Sequence, residues 1–166
     1  MGRSFVGAIG LLALLSLAGC YSSAKPALIG HPAPDFTVKD TDRTVALKQF
    51  QGQVVVLNFW GTFCPPCIEE MPSLLEMQRH MKARGVTVVA VSIDEDDAAY
   101  HQFLKDHNLN ADLLTVRDGS KATATLYGTR GWPETFIIDR HGVMRRKFIG
   151  AIDWTGPEIT DFLSKL

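Results

Sequence analysis

The sequence predicts an α/β domain: a central mixed β-sheet with helices on both faces. Three observations predict it. Residues 54–60 and 86–93 are apolar, β-branched runs with apolar side chains on both parities, the pattern of central strands covered on both faces. Helix-patterned stretches follow each of them, so strand and helix alternate. Near the end, residues 134–138 and 143–149 flank Asp139-Arg140-His141-Gly142, a turn that makes the last pair antiparallel.

Composition narrows the class. The chain has 166 residues, 46% apolar and 21% charged, which suits one domain with a real core. A net charge of −1 gives no basic patch by composition, so nucleic acid is not an expected partner. Three cysteines are too few for a disulfide scaffold or a four-ligand zinc site, and the five histidines form no spaced pair. No metal is expected, and a monomer is.

Residues 1–19 read as a secretory signal: Arg3, then an apolar run from Phe5 to Ala18, then small residues. The run is shorter than the ~20 residues a spanning helix needs. Leu17-Ala18-Gly19-Cys20 resembles a bacterial lipoprotein signal, which makes Cys20 the lipidation site and attaches the protein to a membrane. The other reading is an uncleaved anchor with an incidental cysteine. Either way the folded part lies outside the cytoplasmic membrane, on the periplasmic side. Residues 20–34, with Pro26, Pro32 and Pro34, read as an extended tether.

The folded domain, 35–166, then unfolds in order. Residues 35–38 and 44–47 flank a polar turn and predict a short hairpin. Residues 47–50 predict one helical turn, closed by Gly52. The run 54–60 predicts a buried strand interrupted only by Asn58, whose amide needs partners in the interior or costs ~1–3 kcal/mol. That amide is either a satisfied structural group or part of a site. A helix follows to Arg84, stopped by Gly85, with Ile68, Met71, Leu74, Leu75 and Met81 at three- and four-residue steps and with Pro72 inside it. Asp94-Glu95-Asp96-Asp97 starts a further helix with Tyr100, Phe103 and Leu104 on one face, ending at Asn108. Residues 113–116 predict a short strand, 121–127 a short helix, and 154–166 a final helix.

The chemistry centres on Cys64-Pro65-Pro66-Cys67. Two cysteines two residues apart sit where a buried strand hands over to a helix, the usual setting of a redox-active pair.

These pieces resemble a thioredoxin fold, and within it the TlpA/ResA group of extracytoplasmic thiol–disulfide oxidoreductases, to which the CcmG/DsbE proteins of cytochrome c maturation are related. The resemblance covers nearly all of residues 34–166. It rests on Asn58-Phe59-Trp60-Gly61-Thr62-Phe63 before Cys64, on Pro72, on Val91-Ser92-Ile93-Asp94-Glu95, and on Gly131-Trp132-Pro133-Glu134-Thr135-Phe136. It implies an added N-terminal hairpin and an inserted central helix. It also implies a cis bond at Pro133 facing the cysteines. Trp60, Phe63, Pro65, Pro66, Trp132, Pro133 and Glu134 become expected substrate contacts, with a core role as the alternative for Trp132. The group usually has Trp where Phe63 stands, and ordinary thioredoxin has Asp where Asn58 stands. A base must therefore be sought elsewhere, and motif position points to Glu95. Its alternative is a solvated carboxylate in an acidic run.

The expected mechanism follows. Cys64, exposed at a helix N-terminus, attacks a protein disulfide, and the more buried Cys67 resolves the mixed disulfide. Pro65 and Pro66 remove N–H donors, and Glu69 and Glu70 add negative charge, so a reducing or mildly poised couple is expected rather than a strong oxidant. The cysteine pair is the sole redox group expected, with no cofactor. The resemblance suggests apocytochrome c as the protein substrate and a membrane thiol as electron donor. Two rivals remain. A peroxiredoxin-like peroxidase wants Thr where Gly61 stands. A copper or haem chaperone would use the cysteines as ligands.

Overall fold

This computed structural model describes residues 27–111 and 113–166. The expected signal segment, Cys20 and the tether up to residue 26 lie outside the described residues. Among the described residues no helix is long and apolar enough to cross a membrane.

The order is β1 (Thr37–Lys39), β2 (Thr44–Ala46), β3 (Val54–Trp60), α1 (Pro65–Met81), β4 (Val86–Ser92), α2 (Asp97–Asp106), β5 (Leu114–Arg117), α3 (Ala122–Leu126), β6 (Glu134–Ile138), β7 (Met144–Ile149) and α4 (Pro157–Ser164). The central sheet runs β5-β4-β3-β6-β7. β3 lies parallel to β4, Val54 beside Val86 and Trp60 beside Ser92, and antiparallel to β6, Phe59 beside Glu134. This is the expected thioredoxin-like fold. The hairpin β1–β2 forms its own small sheet.

β3 is buried along its whole length, and its parity divides the core. Val54, Val56 and Trp60 pack on one face with Cys67, Met71 and Leu74 of α1 and with Trp154 and Leu163. Val55, Leu57 and Phe59 pack on the other with Phe136, Tyr127 and the hairpin residues Val38 and Val45. Asn58 shares the parity of Val56 and Trp60, so its amide points under α1.

α1 continues through Pro72 and ends in a 3-10 turn at Gly85, whose φ of 74° is the left-handed conformation that glycine adopts without a Cβ clash. The hairpin turn is held by ions. Arg117 Nη2 lies 3.2 Å from Asp40 Oδ1 and 2.9 Å from Asp97 Oδ1, joining the hairpin to β5 and α2.

Two boundaries differ from expectation. The final helix begins at Pro157, not at Trp154, because Trp154 is drawn out of helical register. Its backbone N–H donates to Ser73 Oγ (3.2 Å), and Pro157 then supplies a favourable first helical position. The end of the expected tether is also part of the folded unit. Gly30 N–H donates to Met144 O (2.7 Å), Met144 N–H to His31 O (3.0 Å) and Ala33 N–H to Gly142 O (2.8 Å).

Candidate active site

Cys64 is the N-cap of α1, with extended backbone (φ −105°, ψ 98°), and Pro65 and Pro66 fill the first two helical positions. Their fixed φ suits a helix start, and their missing N–H groups would have had no helical partner there. The next two donors, Cys67 N–H and Ile68 N–H, both point at Cys64 O (3.0 and 3.2 Å). The backbone thus offers a Cys64 thiolate few donors.

Cys64 and Cys67 are joined as a disulfide, their Cα atoms 5.3 Å apart. Cys64 is 6% exposed and Cys67 0%. The expected order of accessibility holds, but Cys64 is far more covered than an exposed nucleophile. Pro65 and Pro66 on its helical side are exposed, and the half-buried Thr62 lies before it.

The loop ahead of Cys64 is fixed from β4. Asp94, buried just past the strand, accepts from Thr62 N–H (3.0 Å), Thr62 Oγ1 (2.6 Å) and Ser92 Oγ (2.5 Å). Ile93 N–H donates to Trp60 O (2.9 Å). Phe63 is 60% exposed and folds its ring back over Gly61, where an added Cβ would meet Phe63 Cε1 at 2.8 Å. Glycine leaves the room in which the ring lies, and a side chain at this position would move the exposed ring aside.

Beneath the cysteines lies a polar network that the sequence reading missed. Glu70, three residues after Cys67, is 4% exposed. Its Oε1 accepts from Asn58 Nδ2 (2.8 Å), and its Oε2 from Trp154 Nε1 (3.2 Å) and Ile152 N–H (3.3 Å). Asn58 Nδ2 also donates to Thr135 Oγ1 (2.9 Å). Burial raises the Glu70 pKa above the ordinary carboxyl value, against the pull of the bonds from Trp154, Asn58 and Ile152. On a helix, positions three apart stand on one face, so this carboxyl belongs to the face of Cys67. The signal was present: Cys67, Glu70, Leu74 and Met77 keep the spacing of the buried stripe.

Glu95, expected as the base, is placed otherwise. Its side chain is exposed and pairs with Lys121 Nζ at 2.7 Å. The hydrogen bond and the charge of Lys121 lower its pKa, which weakens it as a proton acceptor. Its motif neighbour Asp94 is the buried member, and it anchors Thr62.

Across β3, the Trp132–Pro133 bond is cis, as expected, and Pro133 is buried at the sheet end where Phe59 meets Glu134. Trp132 is half-buried and packs against both cores, so it can present only part of its ring. Three expected contacts are interior instead: Pro133, Glu134 and Trp60. Glu134 is buried and paired with Lys147 Nζ at 2.8 Å. Trp60 is 0% exposed, packed against the rings of Tyr100 and Phe103. Its parity in β3 turns it under α1. Phe63, Pro65, Pro66 and part of Trp132 remain accessible.

A group of possible metal ligands, Asp40, Asp97 and His101, lies on the hairpin side and contains no cysteine. The Arg117 guanidinium already balances its two carboxylates.

Comparison with known proteins matches residues 29–147 to the AhpC/TSA family. The thiol-disulfide oxidoreductase ResA of Bacillus cereus is 34% identical over 149 residues, 89% of this chain and 84% of that protein. The thiol:disulfide interchange protein DsbE of Pseudomonas aeruginosa is 33% identical over 135 residues, 80% of this chain and 72% of that one. A crystal structure from Chlorobium tepidum, provisionally assigned as a DsbE, superposes with a TM-score of 0.71 at 32% identity, covering 84% of this chain and 94% of that one.

Proposed function

The chain belongs to the AhpC/TSA family, and within it to the thiol–disulfide oxidoreductases of the ResA/DsbE type, and from that premise we propose that it acts as a reductase of protein disulfides outside the cytoplasmic membrane. The observation that carries the direction is the pair of prolines behind Cys64. With no N–H at the first two helical positions, and the next two donors turned to Cys64 O, thiolate stabilisation is weak. A weakly stabilised thiolate makes the dithiol readier to give up electrons.

In the reduced protein the Cys64 thiolate attacks one sulfur of the substrate disulfide. That S–S bond breaks, a mixed disulfide forms, and the leaving thiolate takes a proton. Cys67 then passes its proton to Glu70, whose raised pKa suits it to hold one, and attacks Cys64 Sγ. The Cys64–Cys67 disulfide forms as the second substrate thiol leaves. Two electrons pass from the dithiol to the substrate, and a membrane dithiol donor returns them. Asn58 and Trp154 hold Glu70 in place.

The signal-like residues 1–19 and Cys20 support a lipid-anchored protein on the periplasmic side, and the relation to DsbE supports apocytochrome c as substrate. The test is trapping. With Cys67→Ser and Cys64 intact, a mixed disulfide to a thiol protein is expected to accumulate in cells. If a Cys64→Ser, Cys67→Ser double variant retains the same adducts, the reading fails.

A further inference from the structure

α1 carries a second apolar stripe beside the one that faces the sheet. Ile68, Pro72 and Leu75 follow Cys64 at steps of three and four, with the cationic Arg79 one turn further on, so they lie along the helix face that Cys64 heads. They form one wall of a groove of about 330 Å³. The other wall comes from the inserted helix α2 and the turn after it: Phe103, His107 and Leu109. The His107 ring stacks on Phe103 with centroids 4.0 Å apart, which keeps that wall flat. No carboxylate lines this groove. On the other flank of α1 the lining is opposite in kind, with Glu69, Glu76 and Asp153.

We propose that the apolar groove docks an extended, apolar segment of the polypeptide whose disulfide Cys64 attacks. This rests on the reductase reading above and names the feature by which a protein substrate is selected. Continuity supports it. Ile68 opens the groove, and its N–H donates to Cys64 O at 3.2 Å, so a chain seated on Cys64 runs directly onto Ile68. Reach agrees. Leu75 lies about 16 Å along the helix from Cys64 at 1.5 Å per residue, and about five extended residues cover that distance. The chemistry agrees as well: Ile68, Leu75 and Phe103 are only partly covered and have apolar surface left to bury. Burying one more large apolar side chain there is worth about tenfold in affinity or more.

The experiment measures rates of disulfide reduction by the reduced protein for two disulfide-linked peptides and for glutathione disulfide. One peptide carries Leu and Phe within five residues on both sides of its cysteine, and the other has Ser at those places. The wild-type rate ratio, apolar over Ser, is expected near tenfold. In Leu75→Gln, and in Ile68→Gln at the other end of the groove, that ratio falls to about one. Because the ratio is taken within each variant, a general loss of active protein does not alter it. Glu76→Gln, on the acidic flank, keeps the wild-type ratio. Equal peptide rates in the wild type, or a ratio that survives both groove variants, overturns the docking proposal while glutathione disulfide reduction leaves the oxidoreductase reading standing. A wild-type protein that reduces none of the three overturns both.

Discussion

Asn58 Nδ2 donates to Glu70 Oε1 at 2.8 Å, tying the middle of β3 to the first turns of α1 just past Cys67. The Asn58 Oδ1 atom is buried without a hydrogen-bond partner among the described residues. A buried acceptor left unpaired costs ~1–3 kcal/mol. A protonated Glu70 offers it a donor once the amide turns, so the same asparagine can serve either charge state of the carboxyl.

That pairing predicts the behaviour of Glu70→Gln. Burial raises the Glu70 pKa in the folded protein, so folding favours its protonated form. The resulting stability is fully present below the unfolded value, near 4.5, and is lost as pH rises through the folded value. Denaturant titrations of the oxidised protein at a series of pH values should show this decline in the wild type and a flatter profile in Glu70→Gln. The variant should also resolve mixed disulfides about 10²-fold more slowly, the scale of one general-base contribution. An unchanged resolution rate in stopped-flow measurements sinks the proton-acceptor role.

The proline pair predicts a reducing potential. Titration against glutathione or dithiothreitol should place the Cys64–Cys67 couple well below the ~−120 mV of a strong oxidant, nearer the ~−270 mV of thioredoxin. Replacing Pro66 with Ala restores an N–H at the helix start and should raise the potential. A value near that of the strong oxidant contradicts the reductase direction.

Asp139 predicts the acid limb of stability. Burial works to raise its pKa, and bonds from Val143 N–H, Arg145 Nε and His141 N–H outweigh it, so the net shift is downward. A depressed carboxyl stabilises above its unfolded pKa and loses that contribution as pH falls through the folded one. Asp139→Asn should therefore be less stable at neutral pH, by ~1–3 kcal/mol, and should lose less on acidification. Thermal unfolding at pH 7 and pH 3 measures both.

Arg117 predicts how firmly the hairpin is held. Its guanidinium balances Asp40, whose side chain is 1% exposed. Arg117→Ala removes the guanidinium from that buried carboxylate and leaves it only the residue-117 backbone N–H and the more distant His101, a loss of about 3 kcal/mol. Hydrogen exchange should show β1 and β2 opening before the central sheet does. Uniform loss of protection across both sheets is the outcome that refutes the clamp.

Much of this was legible in the residues because one cause dominated locally. β3 could be delimited to the residue, since nothing but Asn58 breaks its apolar run. The handover to α1 and the stop at Gly85 follow from helix-end chemistry. The misplaced residues share a different origin. Glu95 and Glu70 are both acidic and near the motif; the spacing of the buried stripe of α1 marks Glu70, while motif position points to Glu95, and packing against Asn58 and Trp154 decides between them. Trp60 and Glu134 adjoin the motif, but both faces of β3 and β6 are covered, so neither parity leads to solvent. The docking of Gly30–Ala33 depends on a strand edge more than a hundred positions away, which a proline-rich composition cannot reveal.

That docking has a further consequence. Gly30–Ala33 are held at Gly142–Met144, beside Ile138, where β6 faces the start of β3. Cys64 follows the opposite end of the same strand. Entry of the chain and exit of electrons therefore occupy opposite poles of the molecule. Were Cys20 to carry a lipid, as proposed, the chain leading to it would leave the folded unit at the pole away from the disulfide.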